Sequence, residues 1–297
     1  MRDSAVLLID CPDRKGLVAR VSGLLYEHGA NILHADQHQD HDLGLFFMRV
    51  EWSLSLPAGN SDSAKGKPNG KFDLEAFKAD FAPLAAALGM RWTLTASARK
   101  PRVALFCSQY LHCIADLLYR WRAGELDCEI SLIVSNHLDV ELMAAFYGVL
   151  FVHIPVTAAT RANAEAQQLQ LITKYDVDLI VLARYMQILS ADFVAHYPAA
   201  IINVHHSFLP AFTGARPYHA AHARGVKLIG ATSHYVTEVL DDGPIIEQDV
   251  ARISHRDQVE DLVARGRDLE RMVLSRAVRW HLDRRILCYG NKTVIFD

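Results

Sequence analysis

No run of apolar residues in this 297-residue chain approaches the roughly 18 that a membrane-spanning helix needs. The short apolar stretch after Met1-Arg2-Asp3-Ser4 is broken by Asp10, so no secretory signal is expected. Neither sign of charge prevails. With 22% charged residues and a formal net charge of −3, the chain has no global attraction to nucleic acid or to anionic membranes. C-x-x-C pairs are missing as well. The five cysteines (Cys11, Cys107, Cys113, Cys128 and Cys288) are scattered and odd in number, which reads as free thiols in a reducing compartment, and the cytoplasm is the expected location.

Phosphate-handling signals are absent too. There is no P-loop, and no glycine lies between Val103 and Ala123, where a backbone cradle after a strand would need one for close approach. Ser108, in Cys107-Ser108-Gln109-Tyr110, is therefore expected to cap a helix rather than to hold an anion. Fifteen histidines suggest no metal set. Adjacent His205 and His206 should point to opposite faces of an extended segment, and His34, His38 and His41 surround a hairpin turn. His219 and His222 share a helix face without a carboxylate or thiol at ligand spacing. Neither a metal nor a cofactor is expected.

At 51% hydrophobic residues the chain can bury two cores, and its rhythm changes once. Ala5–Ile9 reads as a strand, followed by a turn over Cys11–Gly16. Leu17, Val21, Leu24 and Leu25 recur at helical spacing up to Gly29. Ile32–Gln39 and Leu45–Leu54 form a hairpin around Asp40-His41-Asp42. The Gly-, Ser-, Pro- and Lys-rich stretch Pro57–Lys71 is a surface loop by composition. Phe72–Leu88 is an amphipathic helix and Arg91–Thr95 a last strand. This βαββαβ order predicts a ferredoxin-like domain over residues 1–96. Ala96–Pro101 reads as a linker. From 102 to 297, apolar runs at Arg102–Phe106, Ile130–Val134, Leu150–Ile154, Leu179–Leu182 and Ile201–Val204 alternate with helical patterns. That alternation predicts a Rossmann-like, mostly parallel α/β domain with ligands at the carboxyl ends of its strands.

Asn203 and His205 occupy one such end and share a face of their strand. An amide donor beside an imidazole suits stabilising an oxyanion, although strand-end polar groups bonded to a neighbouring loop would look the same. A third partner is Asp241, in Asp241-Asp242-Gly243-Pro244. This string is also an ordinary turn between two strands, but a carboxylate there can orient a water or take its proton.

At these residues the chain resembles folate-dependent formyl transferases and hydrolases. The match runs through Asn203-x-His205, Ser207-x-Leu209-Pro210 and Leu240-Asp241-x-Gly243-Pro244-Ile245-Ile246. It extends to Ala183-Arg184-Tyr185-Met186-Gln187-Ile188-Leu189 and Tyr289-Gly290-Asn291-Lys292-Thr293. Leu117–Arg122, Val134-Ser135-Asn136-His137 and the histidine at 206, where transferases carry proline, are similar to the formyltetrahydrofolate deformylase family. The resemblance covers nearly the whole chain and implies an N-terminal ACT domain and a C-terminal formyltransferase-type domain. It implies hydrolysis of 10-formyltetrahydrofolate, which would supply formate for purine synthesis and balance the one-carbon folate pool. By the same resemblance, Asn203 and His205 would polarise the formyl carbonyl and Asp241 would position the water. Met186, Gln187, Ile188, Leu189 and His206, with Val236, Thr237, Glu238, Val239 and Leu240, would hold the substrate. An amino-acid effector would meet Asp13, Gly16, Leu17, Asn31 and Ile32, and a homo-oligomer, dimer or tetramer, would be expected. The alternatives are a formyltransferase with glycinamide ribonucleotide as acceptor, and a silent amino-acid sensor. The missing phosphate loop argues against the first and the intact triad against the second.

Overall fold

A computed structural model describes residues 3–55, 71–96, 99–211 and 217–296. The chain divides into two compact units between Arg99 and Lys100, and residues 284–287 and 294–296 group with the first unit, against the expected partition at 1–96 and 102–297. Residues 57–70 of the expected surface loop, and Ser97 and Ala98 of the expected linker, lie outside the described residues.

The first unit is built from β1 (Ser4–Pro12), α1 (Leu17–Glu27), β2 (Asn31–Asp40), β3 (Leu45–Ser53), α2 (Leu74–Leu88) and β4 (Arg91–Ala96). Its sheet runs β2-β3-β1-β4 with antiparallel neighbours, the ferredoxin-like arrangement expected. Strand alternation decides the core. Ala5, Leu7, Ile9 and Cys11 of β1 and Phe46, Met48, Val50 and Trp52 of β3 bury one face against Leu17, Val21 and Leu25 of α1 and Phe77, Phe81 and Ala85 of α2. Asp73 caps α2 by accepting from the Ala76 amide, and Gly89 ends it in the left-handed region. β1 is longer than the apolar run Ala5–Ile9. Beyond Asp10 it has lost its β4 partner but still pairs Cys11 with Phe46 and Pro12 with Leu45. Pro12, with no amide hydrogen to offer, is tolerated there because one side of the strand is already free.

The second unit holds β5 (Arg102–Cys107), α3 (His112–Arg122), β6 (Glu129–Ser135), α4 (Glu141–Tyr147), β7 (Phe151–His153), α5 (Arg161–Lys174), β8 (Leu179–Leu182) and α6 (Ala191–Ala195). It continues with β9 (Ile201–His205), α7 (Pro217–Arg224), β10 (Leu228–Tyr235), β11 (Ile245–Arg252) and α8 (Val259–Leu282). A final hairpin, β12 (Ile286–Tyr289) and β13 (Lys292–Ile295), has only its tip, Cys288–Thr293, in this unit. The seven-stranded sheet runs β11-β10-β9-β8-β5-β6-β7. It is parallel from β9 to β7, with β10 and β11 added antiparallel. Helices α5 and α6 cover one face through Ile172, Phe193 and Val194 packed on Ala104, Phe106, Ile180 and Ile201. Helix α8 packs along β9, β10 and β11 and against α3.

Phe77 is fully buried at the centre of the first unit's aromatic cluster, within 5.6 Å ring-to-ring of Trp52, Phe72 and Phe81. Phe77→Ala should therefore lower the unfolding free energy by about 3–5 kcal/mol. Denaturant unfolding followed by circular dichroism reads that loss, and a cost below about 1 kcal/mol would mean the cluster is not the core it forms in the fold.

Candidate active site

The carboxyl ends of β8 and β9 and the end of β10 open onto a cavity of about 760 Å³. Register brings the first residues together, because His234 of β10 pairs opposite Asn203 of β9. The His234 Nδ1 lies 2.9 Å from the Tyr235 carbonyl oxygen, which can only accept, so Nδ1 carries the proton. In the neutral ring Nε2 then accepts from the Asn203 side-chain amide at 3.2 Å. One amide hydrogen of Asn203 is thereby committed and its orientation set, which leaves the other for a substrate carbonyl.

Asp241 arrives from the loop between β10 and β11, as the turn motif predicted. Its Oδ2 lies 3.3 Å from His205 Nδ1 and its Oδ1 3.6 Å from His234 Nε2. The hydrogen bond from His205, and then the nearby His234 imidazole, hold the Asp241 carboxyl well below the usual carboxylate range, against the opposing effect of burial. With Nδ1 of His205 turned to Asp241, its Nε2 is buried and has no partner. An imidazole nitrogen left open beside an oriented amide and a fixed carboxylate can take or give a proton at a carbonyl under attack.

The loop reaches this place because Gly243 has no side chain. A Cβ there would sit 1.8 Å from the Tyr235 carbonyl oxygen. The Tyr235 amide donates to the Pro244 carbonyl at 2.9 Å, and the side chains of Asn291 and Thr293 donate to the carbonyls of Asp242 and Ile245 at 2.8 and 2.7 Å. Behind His205, the Thr232 hydroxyl donates to the Ser207 carbonyl and accepts from the Leu209 amide, which ties down the Ser207-x-Leu209-Pro210 stretch.

All three expected catalytic residues line the cavity, as do His206 and the stretches Met186–Leu189 and Val236–Leu240. Met186 and Ile188 are 50% and 53% exposed and Val239 and Leu240 61% each, an apolar rim of the kind that suits a flat ring. The histidine pair departs from expectation. β9 ends at His205, so the alternation that would separate the two rings stops, and their centroids lie 5.0 Å apart. Burial, then the charges of Arg184 and His205, push the His206 imidazole down to about 4, so it is neutral near pH 7.

Ser108 is not a helix cap. Leu111 occupies the cap position of α3, and the Ser108 hydroxyl instead donates to Asn136 Oδ1 at 2.6 Å and accepts from the Met186 amide at 3.0 Å. β5 emerges between β6 and β8, so a hydroxyl at its end braces the loops of both neighbours. Two contributors escape sequence reasoning as site residues. His234 is brought in by strand register, and Arg184 by a residue on α8, Glu270, 86 positions away in sequence. Arg184 stood within a recognised motif, but nothing in the motif shows its partner.

Among the described residues one donor set comes together, His112, Cys113 and Glu270. It does not suit a cation. Glu270 already takes His112 Nε2 at 2.8 Å and the Tyr218 hydroxyl at 2.8 Å, with the Arg184 guanidinium at 3.5 Å. Burial, aided by the Glu270 charge, raises the Cys113 thiol well above its ordinary range.

In the first unit, a cleft of about 980 Å³ is lined by Asp13, Gly16 and Leu17, but not by Asn31 or Ile32. β1 and β2 both run antiparallel to β3 and so run parallel to each other. The turn after β1 therefore lies beside the end of β2, where Gln37, His38 and Gln39 face it, while Asn31 is at the far end opposite Ser53.

Residues 101–278 match the formyl transferase family and residues 5–51 the ACT domain. The chain is 50% identical to a formyltetrahydrofolate deformylase of Synechocystis over 293 residues, covering 99% of this chain and 98% of that one. A crystal structure of a formyltetrahydrofolate deformylase from Pseudomonas syringae pv. tomato superposes with a TM-score of 0.91 at 48% identity, covering 100% of this chain and 95% of the other. A glycinamide ribonucleotide transformylase from Symbiobacterium toebii gives 0.64 at 28% identity, over 69% of this chain and 98% of the other.

The depressed carboxyl of Asp241 carries a pH signature. Its folded pKa is below the unfolded value, so its stabilisation is fully present above about pH 4 and is lost as pH falls toward the folded pKa. The unfolding free energy of the protein minus that of Asp241→Asn should shrink on acidification below about pH 4. A difference that stayed constant with pH would show that the imidazole pair does not hold the carboxylate.

Proposed function

The chain belongs to the formyltetrahydrofolate deformylase family, and we propose that its hydrolysis of 10-formyltetrahydrofolate to formate and tetrahydrofolate runs on Asn203, His205 and Asp241. The observation that carries the assignment of roles is the uncommitted Nε2 of His205, flanked by an amide fixed on His234 and a carboxylate fixed on its own Nδ1. The folate lies along Met186–Leu189 and Val236–Leu240, with the formyl oxygen toward Asn203. Asp241, kept ionised, holds the attacking water and the His205 ring in place. His205 takes the proton of the water as the C–O bond forms and returns it to the departing N10 nitrogen. The Asn203 amide and the proton on His205 stabilise the oxyanion between those steps. The formate so released is available to purine synthesis. No metal or cofactor enters this scheme.

Purified protein with 10-formyltetrahydrofolate should release formate whether or not glycinamide ribonucleotide is present. Transfer of the formyl group to that amine without formate would overturn the reading, as would activity abolished by chelation and restored by zinc. Asn203→Ala, His205→Ala and Asp241→Asn should each lower kcat by about two to four orders of magnitude with folding intact. Near-normal turnover in Asp241→Asn would remove the carboxylate from the mechanism.

We further propose that the ACT unit binds a small amino acid in the cleft beside Gly16. The N-terminus of α1 has no side-chain cap, so its free amides suit a carboxylate, and Gly16 leaves open space above them at φ 88°. β2 is an edge strand exposed or half-exposed along its whole length, which supports a homo-oligomer formed through this unit. No helix of the described residues is long and apolar enough to cross a membrane, which accords with a cytoplasmic enzyme. A screen of the twenty amino acids should find one that changes the rate of hydrolysis, and Gly16→Val should abolish that response while basal activity remains. An unchanged rate and melting temperature across the whole screen would leave the unit without a sensing role.

A further inference from the structure

Arg184 adopts φ 64°, a left-handed conformation that L side chains rarely take, at the mouth of the catalytic cavity. Its carbonyl accepts from the Ser108 amide at 3.3 Å, and its guanidinium lies 3.5 Å from a buried carboxylate. Glu270 of α8 is 1% exposed and is shared by the Arg184 guanidinium, His112 and the Tyr218 hydroxyl, while Arg184 also lies over the Tyr110 ring at 5.2 Å. The assembly is fitted closely. Gly266, one turn before Glu270, has no room for a Cβ, which would fall 2.0 Å from the Tyr218 hydroxyl.

Its place relative to the folate is informative. Leu189 and Val236, at the folate side of the cavity, pack with the core under α5 and α6, whereas Arg184 reaches toward α8 and α3 on the other face of the sheet. The formyl carbon, beside Asn203 and His205, thus has folate on one side and the Arg184 wall on the other. Any second substrate delivering a nucleophile has to occupy that wall. A buried carboxylate there would recruit a primary amine, since amines arrive as ammonium ions. Here Glu270 is taken up by His112 and the Tyr218 hydroxyl and faced by the Arg184 guanidinium, so no free carboxylate is offered to an ammonium ion, and the Arg184 side chain fills the space an amine would need.

We propose that Arg184 is a specificity-determining residue: by filling the wall opposite the folate and neutralising Glu270, it bars primary amines from the formyl carbon and leaves water as the nucleophile. With the wall open, an amine nitrogen would form the new C–N bond and the bond to N10 would break. The proton lost by the amine would pass to N10 through His205, giving a formamide and tetrahydrofolate with no redox change.

This inference rests on the proposed hydrolysis, and the experiment separates the two. The full-length protein is given 10-formyltetrahydrofolate and glycinamide at pH 8, and formate and N-formylglycinamide are quantified by mass spectrometry. Formate release by the wild type tests the hydrolysis itself. The product ratio tests Arg184, and a ratio does not depend on how much of a variant is folded. The wild type should give formate alone. Arg184→Gly, which opens the wall and relaxes the backbone, should raise the ratio of N-formylglycinamide to formate to at least ten times the detection limit set by the wild type. Arg184→Asn, well suited to the left-handed region, should do so to a lesser degree. Formate alone from both variants would overturn the proposal, and so would amide formation by the wild type at the same ratio. Loss of both products in both variants would overturn it as well, because Arg184 would then be needed for the reaction rather than for choosing its nucleophile.

Discussion

The contact between Gly243 and the Tyr235 carbonyl is the constraint on which the site depends. Because no Cβ intervenes, the chain leaving the cavity folds back onto the end of β10, and Asp241 is carried over His205. Asp241 itself takes φ 55°, a conformation costing on the order of 1 kcal/mol for a non-glycine residue. Its hydrogen bond from the His205 imidazole offsets that cost, being a bond to a charged group in a half-buried setting. The strain is therefore local and explained. It keeps a carboxylate within reach of His205 without a covalent or metal tether, and the hairpin tip at Asn291 and Thr293 holds the two ends of the same turn.

Much of this was legible in the residue pattern, and the limits of legibility are physical. Helix and strand periodicity located the βαββαβ unit and the parallel strands, because burial on one face or two leaves distinct spacing. Asn203, His205 and Asp241 were visible as strand-end and turn residues. His234 was not, since a histidine in Ser233-His234-Tyr235 shows no motif, and only the β9–β10 register sets it opposite Asn203. Ser108 was misplaced for a related reason. Its hydroxyl answers to loops from β6 and β8, and no local signal reports neighbours in a sheet. Asn31 and Ile32 lie at the end of the first sheet away from the cleft beside Gly16, because the direction of β2 follows from its pairing with β3, which linear order does not contain.

The buried charges obey the same logic of neighbours. A carboxylate as deeply buried as Glu270 is costly unless fully paired. Burial pushes its pKa up, yet its bonds to His112 and Tyr218 and the charge of Arg184 outweigh that and keep it below the ordinary value. These partners come from α3, the end of β8 and α7, so the pairing also draws three elements of the second unit onto α8. Sequence spacing of 158 residues between His112 and Glu270 hides the association entirely.

Charge at the cavity wall also bears on how the reaction ends. Glu238, Asp241 and Asp242 line it together with the single guanidinium of Arg184, whose charge is already met by Glu270, and His206 is neutral at pH values well above 4. The formamide enters uncharged and pays little for this surplus of negative charge. Hydrolysis turns it into formate, an anion in a cavity lined by carboxylates, where reduced solvent screening strengthens like-charge repulsion. Had Arg184 faced the cavity without Glu270 behind it, the product would meet an unpaired cation and stay. Neutralising Arg184 from behind removes that trap, so the wall that excludes amines also lets the anion leave.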